Sequence, residues 1–154
     1  MSATIPVGRR VLAVASHGGH WEQLMRLSGA WDGLDVVYAR ASANELGEAE
    51  ETVLRIPDAA RGDRIGLMKL LVAAVRAVRK VRPDYVVTTG AAPGLAILVI
   101  GKLLGARTVW VDSLANVERV SLAGRLARPF SDLWLTQWPH LAGPKGPEFV
   151  GAVL

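Results

Sequence analysis

Short apolar runs alternate with helical patterns along most of this chain. Apolar strands are predicted over residues 10–16, 34–40, 84–90 and 106–113, and helices over 19–31, 66–80 and 93–104. Weaker patterns predict a strand at 54–57, a helix around 120–128 and further extended segments at 132–137 and 148–153. Apolar strands separated by helices are typical of a parallel sheet that is covered on both faces. The alternation therefore predicts an α/β domain.

The length and composition fit one such domain with an apolar surface. The chain has 154 residues, so a single domain over 1–154 is expected, with the acidic stretch 41–63 predicted to be mostly loop. Hydrophobic residues make up 51% of the chain and the mean hydropathy is +0.27, which indicates a surface that something else covers. The chain has no cysteine, which excludes disulfides, thiolate metal sites and cysteine nucleophiles.

The charge pattern points to anionic partners. The net charge is +4, and Lys69, Arg76 and Lys80 share one side of the helix predicted over 66–80. The opposite side of that helix is predicted to carry an apolar stripe, formed by Leu67, Leu70, Leu71, Ala74 and Val78. The three cations are candidates for contact with an anionic membrane surface, although a solvated helix face explains them equally well. A nucleic-acid partner is disfavoured, since no binding motif and no basic–aromatic stripe is present.

The sequence predicts no membrane-spanning segment. The first residues, MSATIPVGRR, lack the apolar region of a signal peptide. The most apolar stretch, residues 91–106, is shorter than the roughly 20 residues that a bilayer span needs. We expect a buried helix there, in a chain that lies against a membrane without crossing it.

Three glycine or polar turns follow predicted strands: Ser16–His20, Thr88–Gly94 and Asp112–Glu118. The carboxyl ends of parallel strands meet at one edge of a sheet, where ligands bind in open α/β folds. We therefore expect all three turns to lie along one rim and to line a cleft.

The first of these turns, in the stretch ASHGGH, carries the clearest chemistry. Gly18 and Gly19 allow a sharp turn and close approach of a ligand, and the helix that follows would point free amides at an anion such as a diphosphate. His20 in the first helical turn favours the neutral imidazole and is a candidate general base, with a capping or core histidine as the alternative. A metal site at His17 and His20 would need a third ligand that nothing nearby offers. The G-x-G-x-x-G and Walker patterns are absent, so no cofactor is predicted.

The other two turns add polar groups to the predicted cleft. Thr89 and Gly90 offer a hydroxyl and space for a ligand, or simply form a tight turn against a helix. Asp112, Ser113 and Asn116 follow the next strand. Glu118 is a second candidate base, with a helix-start carboxylate as the alternative.

These motifs together resemble a known family. The arrangement SHGGH…TTGAAPG…WVDSLANVERVSLAGRLA…LWLTQWPHLA…GAVL is similar to bacterial, exopolysaccharide-type relatives of a membrane-recruiting subunit. That subunit belongs to the two-chain transferase that adds the second N-acetylglucosamine to dolichol-linked oligosaccharide. The turn ending in Gly18, Gly19 and His20 also resembles the glycine-rich turn of the transferase that makes the lipid-linked peptidoglycan precursor.

The resemblance implies one Rossmann-like half of a GT-B glycosyltransferase. In that architecture the amino-terminal half binds the lipid-linked acceptor, and a separate partner chain would bind the UDP-sugar. The reaction implied is inverting transfer to a polyprenyl-diphosphate-linked saccharide, without a metal or cofactor, on the cytoplasmic face of the cell membrane. The alternative is a non-catalytic adaptor that recruits a soluble transferase subunit to the membrane.

The site residues expected from these arguments fall into two groups. His20 and Glu118 are the candidate catalytic residues. The candidate acceptor- and phosphate-binding residues are Ser16, His17, Gly18, Gly19, Thr89, Gly90, Asp112, Ser113 and Asn116.

Overall fold

The computed structural model of the chain describes residues 8–41 and 53–153. Its strands are β1 (Arg10–Ala15), β2 (Asp35–Ala41), β3 (Val53–Ile56), β4 (Tyr85–Thr88), β5 (Arg107–Val111) and β6 (Leu133–Leu135). They form one six-stranded sheet in the order β3-β2-β1-β4-β5-β6. Every neighbouring pair is parallel. The predicted Rossmann-like α/β fold is thereby confirmed.

Four α-helices in the described residues connect these strands: α1 (Gly19–Arg26), α2 (Arg64–Val81), α3 (Ala91–Leu103) and α4 (Leu122–Ala127). Short 3₁₀ turns follow at Ser28–Trp31, Arg128–Phe130 and Pro139–Leu141. Helix α2 begins at a cap in which the Asp63 side chain accepts a hydrogen bond from the Gly66 N–H at 2.8 Å. Its last residue, Val81, is followed by Arg82, which has a left-handed φ of 50° and stands directly before Pro83.

The core has two layers, one on each face of the sheet. On one face α2, α3 and α4 cover Leu12, Val14, Val86 and the fully buried Trp110. On the other face α1 and the turn around Trp31 cover the remaining side chains of β1 and β4. Side chains alternate between the faces along each strand, and Val11–Ala15 of β1 and Val86 and Val87 of β4 are therefore apolar on both faces, as the sequence predicted.

Some predicted elements were wrong in detail. The helix predicted over 19–31 is divided, because Ser28 and Gly29 are weak helix formers and a 3₁₀ turn begins there. Residues 148–153 are not a strand: only Glu148 pairs, in an isolated bridge with Leu135. Residues 42–52 of the predicted acidic loop lie outside the described residues.

The apolar stripe predicted on α2 was also wrong in part. Leu70, Ala74 and Val78 are buried as expected, but Leu67 is 48% exposed and Leu71 is 37% exposed. The helix packs on the sheet through a face that also includes Ala77 and Val81, which are buried. Part of the apolar surface of α2 is therefore left uncovered.

The topology brings the three predicted turns together. Strands β1, β4 and β5 are adjacent and parallel, so the turns that follow them lie at the same edge of the sheet. The predicted rim is confirmed, and it is formed by the starts of α1 and α3 and by the loop after β5.

Candidate functional site

His20 is locked to the turn that follows β4. Its ring nitrogen Nδ1 lies 3.0 Å from the carbonyl oxygen of Thr89, and the buried Thr89 hydroxyl donates back to the His20 carbonyl at 2.6 Å. A carbonyl oxygen only accepts, so Nδ1 carries the hydrogen in this contact. The lone pair of the neutral ring is therefore on Nε2. The half-buried imidazole is thus held in one orientation and one tautomer, with Nε2 as the nitrogen that can accept a proton.

Gly90 provides the space that the imidazole occupies. A Cβ built at Gly90 would lie 3.0 Å from His20 Cε1 and 3.1 Å from Nδ1. The φ of Gly90 is 130°, which side chains rarely adopt, and the following Ala91 is also strained, with φ of 65°. Thr89 and Gly90 thus position His20. The sequence predicted only that they bind a ligand or form a tight turn.

The Gly18–Gly19 turn is open to solvent. Both glycines are exposed, and a Cβ at either would meet nothing within 4 Å. No side chain caps the start of α1, where Gly18 has φ of 73°. His17 beside them is exposed, and Ser16 is 6% exposed. This turn leaves room for an anionic ligand at the positive end of the α1 dipole.

Asp112 does not present a free carboxylate to the cleft. It is 1% exposed, and its two oxygens accept from four donors. Oδ1 accepts from Trp110 Nε1 at 3.1 Å and from the Ser121 hydroxyl at 2.6 Å. Oδ2 accepts from the Asn116 amide at 3.2 Å and from the Ser121 N–H at 3.0 Å. The expectation that Asp112 binds the ligand is corrected here: the carboxylate is saturated and organises the loop after β5.

Gln23 ties this loop to α1. Its side chain is buried, donating from Nε2 to the Asp112 carbonyl at 3.1 Å and accepting at Oε1 from the Leu114 N–H at 3.0 Å. The amide thus bridges the helix that carries His20 and the loop after β5. The sequence analysis missed Gln23, although its spacing from His20 places both on α1.

Trp138 and His140 hold the same loop from the other side. Trp138 Nε1 donates to the Leu114 carbonyl at 2.9 Å, and His140 Nε2 lies 2.6 Å from the Val117 carbonyl. Neither residue was predicted to have a role, although both lie in the WPH stretch that the family resemblance included.

The remaining predicted residues of this loop lie in different surroundings. The Ser113 hydroxyl accepts from the Ala115 N–H at 3.2 Å, and Asn116 contacts Asp112. Glu118 is exposed and lines a separate cavity with Arg119 and Arg125. That cavity does not include His20, so the two candidate bases are not brought together.

The resolved pKa shifts belong to structural carboxylates. The backbone N–H of Arg10 is the main cause that lowers the pKa of Asp84, at the start of β4 and away from the rim. Burial raises the pKa of Asp132, but hydrogen bonds from Lys102 and from the Thr108 N–H outweigh it and leave the pKa below its usual value.

Residues 8–41 and 53–153 offer neither a cluster of metal-ligating side chains nor a membrane-spanning helix. No group of three or more His, Asp or Glu side chains there is placed to hold a metal ion. None of the helices in these ranges combines the length and apolar character needed to cross a bilayer.

The fold and the rim define a Rossmann-like α/β domain with an open edge at the carboxyl ends of its strands. Residues 62–153 match the family model described as "Oligosaccharide biosynthesis protein Alg14 like". The chain belongs to this Alg14-like family.

Named relatives agree with this assignment. The chain is 33% identical over 172 residues to the UDP-N-acetylglucosamine transferase subunit ALG14 of Eremothecium gossypii, covering 87% of this chain and 75% of the relative. It is 25% identical to alg14 of Schizosaccharomyces pombe, covering 96% and 85% of the two chains. It is 28% identical to ALG14 of Mus musculus, covering 86% and 76%.

Solved structures show the fold. Acinetobacter baumannii MurG matches with a TM-score of 0.74 at 13% identity, over 92% of this chain. The UDP-N-acetylglucosamine 2-epimerase of Rickettsia bellii matches with a TM-score of 0.70 at 11% identity, over 95% of this chain. In both cases the present chain spans 45% of the solved chain.

Proposed function

We propose that this chain is the acceptor-binding subunit of a two-chain inverting glycosyltransferase. The donor is a UDP-sugar held by a partner chain, and the acceptor is a polyprenyl-diphosphate-linked saccharide. Membership of the Alg14-like family and the printed name of its relatives, a UDP-N-acetylglucosamine transferase subunit, support the reaction class. The observation that carries the proposal is the His20 imidazole, held at the rim by Thr89 with Nε2 available for a proton.

In this mechanism His20 is the general base. Nε2 takes the proton of the acceptor hydroxyl as its oxygen attacks the anomeric carbon of the sugar. The bond from that carbon to the UDP oxygen breaks, and UDP leaves with the electron pair. Attack from the face opposite to UDP inverts the configuration. The imidazolium formed is stabilised by its Nδ1–H bond to the Thr89 carbonyl and then loses its proton to solvent.

The acceptor diphosphate is assigned to the Gly18–Gly19 turn. The open space at both glycines and the uncapped start of α1 support this assignment. Ser16, His17, Ser113 and Asn116 remain candidates for contact with the acceptor. Asp112 and Gln23 act as positioning residues, because they fix the loop after β5 against α1.

The biological setting is proposed to be assembly of a lipid-linked oligosaccharide or exopolysaccharide on the cytoplasmic face of the cell membrane. The second of these two settings, exopolysaccharide assembly, is supported by the family motifs in the sequence. The whole of residues 1–154 would then serve as one acceptor-binding domain.

The partner requirement is tested by assaying transfer with each chain alone and with both. We expect no measurable transfer from a UDP-sugar to the lipid-linked acceptor by this chain alone, and transfer after co-expression with the donor-binding chain encoded beside it. The reason is that a GT-B active site lies between two lobes, and the described residues form one such lobe. The partner chain assayed by itself is the control.

Robust transfer by this chain alone would contradict the two-chain proposal. The complex should bury more than about 1,000 Å² in total, as stable interfaces do. Exposed apolar residues supply surface for it, among them Leu122 (48% exposed), Leu126 (54%) and Val150 (73%).

Helix α2 is proposed to rest on an anionic membrane surface. Ile65 is 72% exposed and Met68 is 62% exposed on this helix, which carries no acidic residue between Arg64 and Val81. The predicted contact residues Lys69, Arg76 and Lys80 line a groove of about 500 Å³ between α2 and β3, with apolar side chains between them. Exposed apolar side chains flanked by cations match the interface of an anionic bilayer.

Charge removal on α2 tests this membrane contact. Changing Lys69, Arg76 and Lys80 together to glutamine should weaken flotation with anionic vesicles on the order of 10²-fold, since each cation contributes about 1 kcal/mol. The control removes the same charge elsewhere, at Arg9, Arg26 and Arg107. Binding that is equally strong in the two variants, or that ignores lipid charge and salt, would reject the electrostatic contact.

A further inference from the structure

A second cavity lies beside β6, away from the Gly18–His20 turn. It has a volume of about 430 Å³ and is formed by the loop after β5, helix α4 and residues 141–147. Four cationic side chains line it, and one carboxylate, Glu118, faces them; the cations are Arg119, Arg125, Arg128 and Lys145. A concave site with this excess of one charge concentrates anions.

The four cations outnumber the single carboxylate of the cavity. Within residues 8–41 and 53–153, none of the four takes part in an ion pair; the pairs found there involve Arg9, Arg10 and Lys102. Arg128 is held by its stacking position, with its guanidinium carbon 5.6 Å from the centre of the Trp134 ring. The donors of these arginines are therefore available to a ligand.

The wall of the cavity that carries Lys145 is fixed by backbone hydrogen bonds. The Gly146 N–H donates to the Gly143 carbonyl at 3.0 Å and closes the turn around Lys145. The Glu148 N–H donates to the Trp134 carbonyl at 2.8 Å and ties the end of this segment to β6. The cavity is thus built by hydrogen-bonded backbone on this side.

Trp134 supplies an independent observation. Its ring lines the cavity, and its Nε1 is buried without a hydrogen-bond partner among the described residues. A buried donor without a partner is unfavourable in a native fold. The Trp134 indole also gives this site a spectroscopic reporter.

We propose that this cavity binds a phosphate group, by charge-assisted hydrogen bonds from Arg125, Arg128 and Lys145. Arginine guanidinium groups pair with phosphate oxygens in a bidentate way, and Lys145 adds a point charge. The phosphate belongs either to a soluble diphosphate compound or to a lipid headgroup, which present the same oxygens. The proposal does not depend on His20 or on glycosyl transfer.

Indole N–H resonances of the full chain test the proposal. The chain has five tryptophans, and Trp134→Phe identifies the signal of Trp134. Inorganic pyrophosphate and anionic vesicles are titrated separately, and at least one of them should shift that signal saturably. Neutral vesicles are the control and should not shift it. Arg125→Gln and Lys145→Gln should each weaken binding about tenfold, as expected for losing one charge-assisted contact. Arg26→Gln and Arg107→Gln remove the same charge outside the cavity and should leave binding unchanged.

Each outcome decides the proposal. A saturable shift with pyrophosphate that the cavity variants weaken supports a soluble diphosphate ligand. A shift with anionic vesicles alone, again weakened by the cavity variants, supports a lipid headgroup. The proposal is overturned if neither probe shifts Trp134, or if the cavity variants bind as tightly as the two controls.

Discussion

Replacing His20 with asparagine should lower the turnover of the reconstituted two-chain enzyme by about 10²-fold or more, the range expected for losing a general base. The asparagine amide nitrogen occupies nearly the position of Nδ1, so the hydrogen bond to the Thr89 carbonyl is retained. What disappears is the Nε2 lone pair. This variant therefore separates the chemistry of the imidazole from its role in joining α1 to the turn after β4.

Two further variants complete this test. His20→Ala removes both the base and the contact with Thr89, and should lose at least as much turnover, with some loss of stability. Arg26→Ala is the matched control, because Arg26 is exposed in the last turn of the same helix and should leave turnover close to the wild-type value. Turnover is measured as sugar transferred to the lipid-linked acceptor, and folding is checked by thermal unfolding.

Near wild-type turnover of the His20→Asn complex would remove His20 from the chemistry. The subunit would then act as an adaptor that recruits the partner to the membrane. Glu118→Gln distinguishes the remaining catalytic alternative, since Glu118 is the second candidate base. Its exposed position in the cation-lined cavity makes us expect a much smaller effect on turnover than that of His20→Asn.

Asp112→Ala should destabilise the folded chain by about 3 kcal/mol, the usual cost of breaking a buried, multiply hydrogen-bonded charged group. Four donors lose their acceptor: Trp110 Nε1, the Asn116 amide, and the hydroxyl and N–H of Ser121. Trp110 is itself fully buried, so water does not readily replace the carboxylate there. The free energy of unfolding is measured by urea denaturation.

The control is Asp35, an aspartate whose carboxylate has its partner at the protein surface instead of in the core. Asp35 pairs with Arg10 at 2.6 Å, but its side chain is 53% exposed. Asp35→Ala should therefore cost less than about 1 kcal/mol, as exposed ion pairs do. Equal stability of Asp112→Ala and the wild type would show that the loop after β5 does not depend on this carboxylate.

The loop network explains why Asp112 should affect function as well as stability. Gln23 joins this loop to α1, and His20 lies on the same helix one turn earlier. Loss of the loop conformation therefore releases one of the contacts that hold α1 at the rim. If the start of α1 moved, the binding of a ligand at the Gly18–Gly19 turn would change with it.

The sequence by itself determined the class of fold and the composition of the rim. Apolar strands alternating with helices require a parallel sheet, because a strand that is apolar on both faces must be covered on both. Parallel strands place their carboxyl ends at one edge, so the three turns at Ser16–His20, Thr88–Gly94 and Asp112–Glu118 were predictable as one rim. The open turn at Gly18 and Gly19 was also predictable, because two adjacent glycines allow a sharp turn and leave space for a ligand.

Only the tertiary structure decided what each side chain of the rim does. Carboxylates and amides look alike in a sequence whether they face a ligand or a neighbouring backbone, and the Asp112 carboxylate is buried by partners 2, 4 and 9 residues away. The tautomer of His20 depends on Thr89, 69 residues later, and the loop after β5 depends on Gln23, 89 residues before Asp112. Periodicity reports which face of a helix is apolar, but the packing of α2 on the sheet decided that Leu67 and Leu71 stay exposed. The contacts of His20 with Thr89 and of Gln23 with Asp112 join residues far apart in the chain, and no local pattern records them.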